Sequence, residues 1–512
     1  MSYWRNKHFI YQINTWVWLD ELSKQFERPI TLDTVPDDIL DAIAKPGIDM
    51  VWLMGIWQRG EQVRANALKY KHEYQRVLPD LKSEDVIGSA YAIADYRVDD
   101  RLGGRAGLAN LRERLRQRGV RLMLDFVPNH VGTDHEWAKY PEFVITGTAT
   151  QKRERPDVFF KSKRFDSKEW VIAHGRDPYF PGWSDTVQLN AFSPQVRRAM
   201  VDTLLDIASQ CDGVRCDMAM LVLNDIFANT WGNCNIGERP SLDYWEEIIP
   251  QVRAQHPAFM FIAEVYWNKE FDILQQGFDY AYDKTLYDRI VRGDIEQIRL
   301  HLLADIHYQK QLIRFIENHD EPRAFSALGH KKSIPAATLI CTLPGAVLLH
   351  DGQFVGRKAK LPVQIRRQPQ EKLYPELEKY YERLLWETLD ATYENGQFYL
   401  FQVNPTGPED QSYRNLIAYG WRDITTRRYR LIVVNLSDSH AFGRVNLGYW
   451  NELSRQKRWR LYDVTDDEEY LRHGGELTNE GIFIYLEPFE SHVFRFQPDI
   501  ELQPLPIQTT EA

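Results

Sequence analysis

Short apolar runs recur along most of the chain, and between them apolar residues return at helical spacing. Strand-like runs cover residues 9–18, 51–55, 121–126, 213–217, 259–263, 278–283, 312–316 and 346–350. Helical patterns cover 36–44, 196–209, 244–255 and 376–388. Another opens at Gly103-Gly104, carries Leu108, Leu111 and Leu115 at helical spacing, and stops at Gly119. Strands alternating with helices predict a parallel sheet. The alternation breaks in two places. Residues 58–89 are polar, charged and too long for a simple turn, so they carry function or helices of their own. Residues 131–189 hold Pro141, Pro156, Pro178 and Pro181 among scattered aromatics and charges, the mark of an irregular excursion after the third strand.

From about residue 391 the pattern changes to strands without helices, at 397–402, 428–435, 458–462, 482–486 and 492–496, with turn residues such as Pro405, Gly407 and Pro408 between the first two. This predicts an antiparallel β-sandwich. The tail, 499–512, is proline-rich and polar and is expected to be loosely ordered.

Four of the apolar runs end in polar residues of matching chemistry. The third leads into Asn129 and His130, the fourth into Arg215 and Asp217, the fifth into Glu264, and the seventh into Asn318, His319 and Asp320. In a parallel barrel, residues at the C-terminal ends of different strands meet at one mouth. Three carboxylates and two histidines therefore converge. Strand alternation puts Arg215 and Asp217 on one face, where the guanidinium is expected to lower the carboxylate's pKa and keep it ionised. Glu264 lies among Phe261, Ile262, Ala263 and Val265, so desolvation is expected to raise its pKa and keep it protonated. Spacing alone leaves the opposite assignment open.

The four segments resemble the signature regions of the α-amylase family, glycoside hydrolase family thirteen: Asp125-Phe126-Val127-Pro128-Asn129-His130, residues 213–217, Phe261-Ile262-Ala263-Glu264, and residues 315–320. The resemblance implies a (β/α)8 TIM barrel over residues 1–130 and 190–390, an inserted domain B at 131–189, and a C-terminal sandwich at 391–498. It implies Asp217 as nucleophile, Glu264 as acid/base and Asp320 as transition-state stabiliser. Tyr91, His130, Arg215 and His319 then bind substrate, with Tyr91 stacking beneath the sugar and the histidines bonding its hydroxyls. The carboxyls of Asp217 and Glu264 are expected at the short separation of retaining enzymes, about 5 to 5.5 Å. Asn129 resembles a ligand for a structural calcium ion; no cofactor is needed for the chemistry. Many family members carry Lys-His three and four residues after the nucleophile, where this chain has Met220 and Leu221. An apolar surface, such as one at Met220 and around Trp267, or the long segment 58–89 is the expected substitute.

At 512 residues the chain exceeds a single hydrophobic core, so two or three domains are expected. A net charge of −10 argues against a phosphate-binding surface and hence against nucleic acid. Aromatic residues make up 13% of the chain, and their flat faces suit sugar rings, although most serve the core. The N-terminus lacks the pattern of a secretory leader, no apolar run approaches the roughly 20 residues that span a bilayer, and the four cysteines lack paired spacing. These features predict a cytoplasmic protein with free thiols, no membrane partner and a neutral α-glucan or maltooligosaccharide substrate. Hydrolysis of α-1,4-glucosidic bonds is the leading expectation. Transglycosylation through the same intermediate is the alternative, and non-catalytic sugar binding a remote third.

Overall fold

The computed structural model describes residues 7–499; the tail expected to be loosely ordered lies outside these residues except for Asp499. Eight parallel strands close into a barrel: β1 (Phe9–Asn14), β2 (Met50–Met54), β3 (Arg121–Phe126), β4 (Gly213–Cys216), β5 (Met260–Ala263), β6 (Tyr280–Tyr282), β7 (Leu312–Arg314) and β8 (Ala346–His350). Each pairs with its neighbours in sequence, and β8 returns to β1. In register, Arg215 of β4 stands beside Asp125 on one side and Ile262 on the other. The site segments on β3, β4 and β5 are thereby brought to the same level.

The first strand ends sooner than the sequence pattern predicts. Asn14 is its last residue, and Thr15–Gln25 is helical, burying Trp16, Val17, Trp18, Leu19 and Leu22. A short, fully apolar run has the same pattern in a buried strand and a buried helix, so periodicity could not place the boundary. The long polar segment after β2 does carry structure. Strand Trp57–Arg59 pairs with Ile93–Val98, and helices Glu61–Leu68 and Lys71–Tyr74 follow it. A small apolar cluster of Ala67, Tyr74, Leu78, Leu81 and Val86 closes over Ile365 from the loop after β8. In the excursion after β3, His130–Gly132 pairs with Thr186–Gln188, and Phe159–Lys163 with Glu169–Ala173.

The C-terminal strands form a six-stranded antiparallel sheet and a three-stranded one. Leu416, Ala418, Leu431 and Val433 from the first share a core with Ala441, Val445, Ile482 and Ile484 from the second, with Trp450 buried between them. Four strands escape the sequence pattern: Leu416–Asp423, Ala441–Val445, Glu468–His473 and the two-residue Val403–Asn404. Glycines interrupt the first two. The third is an edge strand dominated by charged residues, a composition that discourages pairing with other chains. By contacts the described chain forms two compact units. One comprises residues up to 288 with 307–327 and 345–378, the other 289–306, 328–344 and 379 onward. Within the second, Trp421 Nε1 donates to the Thr342 carbonyl at 2.8 Å, which ties the helix Gly329–Thr342 to the large sheet. All four cysteines are free, as expected, and no helix among the described residues is long and apolar enough to cross a membrane.

Gly345, which leads into β8, has φ +97°, and a Cβ there would lie 2.3 Å from the Leu312 carbonyl oxygen at the start of β7. Neither the backbone conformation nor the space admits a side chain. Gly345→Ala is expected to lose about 1 to 3 kcal/mol of stability, seen as a melting temperature several degrees lower. An unchanged melting temperature would show that the β7–β8 junction is slack.

Candidate active site

Arg215 is 1% exposed and meets a group of acids. Its Nη1 lies 2.7 Å from Asp217 Oδ1, and its Nη2 lies 2.7 Å from Glu264 Oε2 and 3.6 Å from Asp320 Oδ2. Trp52, Tyr91 and Tyr282 surround the guanidinium, with ring centroids 5.1–5.8 Å away. The structure therefore brings together all three carboxylates that the sequence singled out, and places Arg215 among them. Strand alternation accounts for the Arg215–Asp217 pair. Adjacent pairing of β4 with β5 accounts for Glu264.

One guanidinium cannot neutralise three carboxylates. Burial pushes the Asp217 carboxyl up to about 8; Arg215 opposes the shift, but the charges of Glu264 and Asp320 add to it. Arg215 lowers the Asp217 pKa as the sequence suggests, but it is outweighed, and the expected net result, a carboxyl held ionised below the ordinary range, is reversed. The arginine is shared, while the burial and the neighbouring acids act on Asp217 in full. Asp320 sits at the more open rim and shifts the other way. Enclosure by the cleft opposes its ionisation, but His319, Arg215 and Lys360 outweigh this and hold its carboxyl below the ordinary range.

Glu264 is not in the apolar pocket that its sequence neighbours suggest. Those neighbours, Phe261, Ile262, Ala263 and Val265, are buried. The carboxylate is instead gripped by polar groups: Arg215, the Met218 backbone N–H donating to Oε2 at 2.6 Å, and the Tyr266 hydroxyl donating to Oε1 at 2.7 Å. Met218 follows Asp217 directly and has φ 42°, a left-handed conformation that costs a non-glycine residue about 1 to 3 kcal/mol. That strained turn aims its amide at the acid. Nothing in the local sequence signals it.

The histidines are positioned differently from each other. His319 Nδ1 lies 2.6 Å from Gln12 Nε2 on β1, and its Nε2 lies 2.6 Å from the Tyr91 hydroxyl and 2.9 Å from Asp320 Oδ2. With Nδ1 accepting from the Gln12 amide, the ring proton sits on Nε2, facing Asp320. Tyr91 stacks on His319 at 5.2 Å. His130 is buried beside Trp183, and burial lowers its pKa to about 3, so it stays neutral and acts as a hydrogen-bonding group. Asp125 works beneath the site: its carboxylate accepts from Trp52 Nε1 at 3.1 Å and from the Gly55 backbone N–H at 2.9 Å. Gln12, Trp52, Trp183 and Tyr266 were not marked by the sequence reading. Tyr266, two residues past Glu264, had a usable signal in its proximity; the others depend on distant strands and loops. The acids, Tyr91 and His130 wall a cavity of about 360 Å³ at the barrel mouth, within the usual size of small-ligand sites.

Two further expectations fail. Met220 is fully buried, so it offers no surface to a sugar; Met218 lines the cavity in its place. The side chain and carbonyl of Asn129 do not fit a calcium site. Gln188 Nε2 donates to Asn129 Oδ1 at 2.9 Å and to its backbone oxygen at 2.8 Å. Both Asn129 oxygens are thus engaged by the Gln188 amide, which ties the residue after β3 to the end of the excursion. Among the described residues, the acidic and histidine side chains close enough together to hold a metal are Asp463, Asp466 and His492, far from Asn129 in the chain.

Comparison with known proteins agrees with this geometry. The family described as alpha amylase, catalytic domain, matches residues 37–379. Alpha-amylase MalA of Haloarcula japonica is 26% identical over 368 residues, covering 70% of this chain and 45% of that protein. Alpha-amylase 3 of Dictyoglomus thermophilum is 23% identical over 297 residues, covering 54% of this chain and 56% of that protein. The chain thus spans about half the length of these curated relatives. Among solved structures, the noncanonic maltogenic alpha-amylase AmyB from Thermotoga neapolitana superposes with a TM-score of 0.66 at 19% identity, over 96% of this chain and 99% of that one. The alpha-amylase from Geobacillus thermoleovorans in complex with acarbose gives 0.66 at 16% identity, over 98% and 100%. With two thirds of its length matched by the family and the four strand-end segments meeting at one barrel mouth, the chain belongs to the α-amylase catalytic-domain family.

Proposed function

We propose that this protein is a retaining glycoside hydrolase that cleaves α-1,4-glucosidic bonds of glucans or maltooligosaccharides. The observation that carries this reading is the sharing of Arg215 between Asp217 and Glu264, with one oxygen of each 2.7 Å from a different terminal nitrogen of the same guanidinium. Such close pairing suits a nucleophile and an acid on the same bond, because retaining enzymes keep their two carboxyls about 5 to 5.5 Å apart. The reactive arrangement has Glu264 protonated and Asp217 ionised. Glu264 gives its proton to the glycosidic oxygen as that bond breaks, while an Asp217 oxygen bonds to the anomeric carbon and forms a glycosyl ester. Glu264, now ionised, takes a proton from water, whose oxygen displaces Asp217 and restores the starting state. Asp320, held ionised by His319, Arg215 and Lys360, faces the positive charge that develops on the sugar.

A second reading, transfer to another sugar, has an observation of its own. Trp267 and Tyr179 pack edge to face at 5.2 Å, are 37% and 72% exposed, and lie beyond Glu264 in sequence and in the excursion respectively. Aromatic faces there suit a sugar on the leaving-group side and would favour it over water as acceptor.

Asp217→Asn and Glu264→Gln are each expected to reduce turnover by about 10³-fold or more while leaving glucan binding intact. Near-normal turnover in either variant would mean that the wrong residues carry the chemistry. The first product from an α-1,4-linked substrate, followed by NMR, should be the α-anomer. Initial release of the β-anomer would rule out the covalent intermediate. Asp217→Asn also reports the charge state of the site. Because folding raises the Asp217 pKa from 3.8 to about 8, its contribution to stability is fully present below about pH 4 and is lost as pH rises towards 8. The melting temperature of Asp217→Asn relative to the natural protein should therefore increase over that interval. A difference that is flat or falls with pH would contradict the raised pKa.

A further inference from the structure

Around the barrel, β5 stands diametrically opposite β1, which is flanked by β2 and β8. Glu264 follows β5, so the loops after β2 and β8 form the side of the mouth farthest from it. On that side the two loops are joined. Val86 and Ile365 form an antiparallel bridge, the Ile87 N–H donates to the Gln364 carbonyl at 2.9 Å, and the Arg366 N–H donates to the Asp85 carbonyl at 2.9 Å. Ile365, 1% exposed, plugs the apolar cluster of the first loop. Arg367 clamps the junction, with Nη1 2.7 Å from Asp80 Oδ2 and Nη2 2.9 Å from Asp85 Oδ2. Asp85 is itself buried, and an arginine bonded to two carboxylates in this way resists displacement.

The seam also reaches the acids. Lys360 Nζ donates to the backbone carbonyl of Asp320, and Val363 and Gln364 line the cavity together with Ser89 and Tyr91. The opposite side differs. Tyr179, Phe180 and Trp267 are exposed there, 72%, 65% and 37% respectively, so it presents aromatic faces to solvent.

Direction follows from the chemistry. Glu264 protonates the oxygen of the departing sugar, so the departing half lies on the β5 side. The retained half, which carries the non-reducing end, points towards β1, β2 and β8. The seam lies on that side of the mouth. We propose that the joined loops make the donor side a blind pocket, so that the enzyme cuts from the non-reducing end and releases small α-configured sugars from maltooligosaccharides. The exposed aromatics then support the rest of the chain on the leaving side. This inference rests on the glycosidase reading above and specifies its mode of attack.

The test compares maltoheptaose with maltoheptaose capped by an ethylidene acetal at its non-reducing end, following new reducing ends from both. The free substrate should be cleaved at least about 100-fold faster than the capped one, since a walled pocket has no room for the cap. Equal rates would overturn the blind pocket while leaving the glycosidase reading in place. Cleavage of neither would overturn the glycosidase reading, and this inference with it. Arg367→Ala, which releases the clamp without touching the cavity wall, should raise the capped-to-free rate ratio by about tenfold. The free substrate shows that the variant is folded. A variant active on free substrate with an unchanged ratio would show that the seam does not set the mode of attack.

Discussion

Arg215 faces three carboxylates from inside the barrel, and the chemistry of the mouth follows from the charge imbalance this creates. A buried guanidinium is tolerated only when it is fully paired, and two buried carboxylates in contact with it are tolerated for the same reason. Removing one partner from such a group leaves uncompensated buried charge and costs about 3 to 5 kcal/mol. The three aromatic rings around Arg215 exclude water, which strengthens both its attraction for the acids and their repulsion for one another. The site therefore combines tight mutual attachment with a surplus of negative charge.

That surplus is distributed unevenly. Asp217, enclosed next to another acid, favours a proton; Asp320, beside His319 and Lys360 at the open rim, gives its proton up. Backbone geometry takes part as well. The left-handed turn at Met218 spends stability to direct one N–H at Glu264, and the His319 ring, which follows β7, is oriented by Gln12 from β1, two strands away. Asp125, a buried acid at the end of β3, pins Trp52 and the Gly55 turn.

Around this centre the rim is asymmetric. The loops after β2 and β8 share an apolar plug, backbone hydrogen bonds and the Arg367 clamp. The leaving side carries exposed Tyr179, Phe180 and Trp267. A parallel barrel permits this asymmetry because its strands set the reacting residues while its loops vary independently.

The sequence by itself determined the barrel strands, their alternation with helices, and the four strand ends that bring Asp217, Glu264, Asp320, His130 and His319 to one mouth. These are local properties: periods of two and of 3.6, and an abrupt change from apolar to polar at a strand's end. The same locality explains the overrun at Trp16 and Trp18, where a buried helix start and a buried strand look alike. Tertiary structure alone decided the electrostatics. The direction of the Asp217 shift depends on burial and on Glu264, which pairing of β4 with β5 brings next to it; in sequence only Arg215 was near. It likewise buried Met220, set the Gln188 amide against both oxygens of Asn129, and joined Gln12 to His319 and Asp85 to Arg367 across most of the barrel domain. Desolvation and charge interactions act through space, so a pattern along the chain shows which groups arrive at the site but not what each meets there.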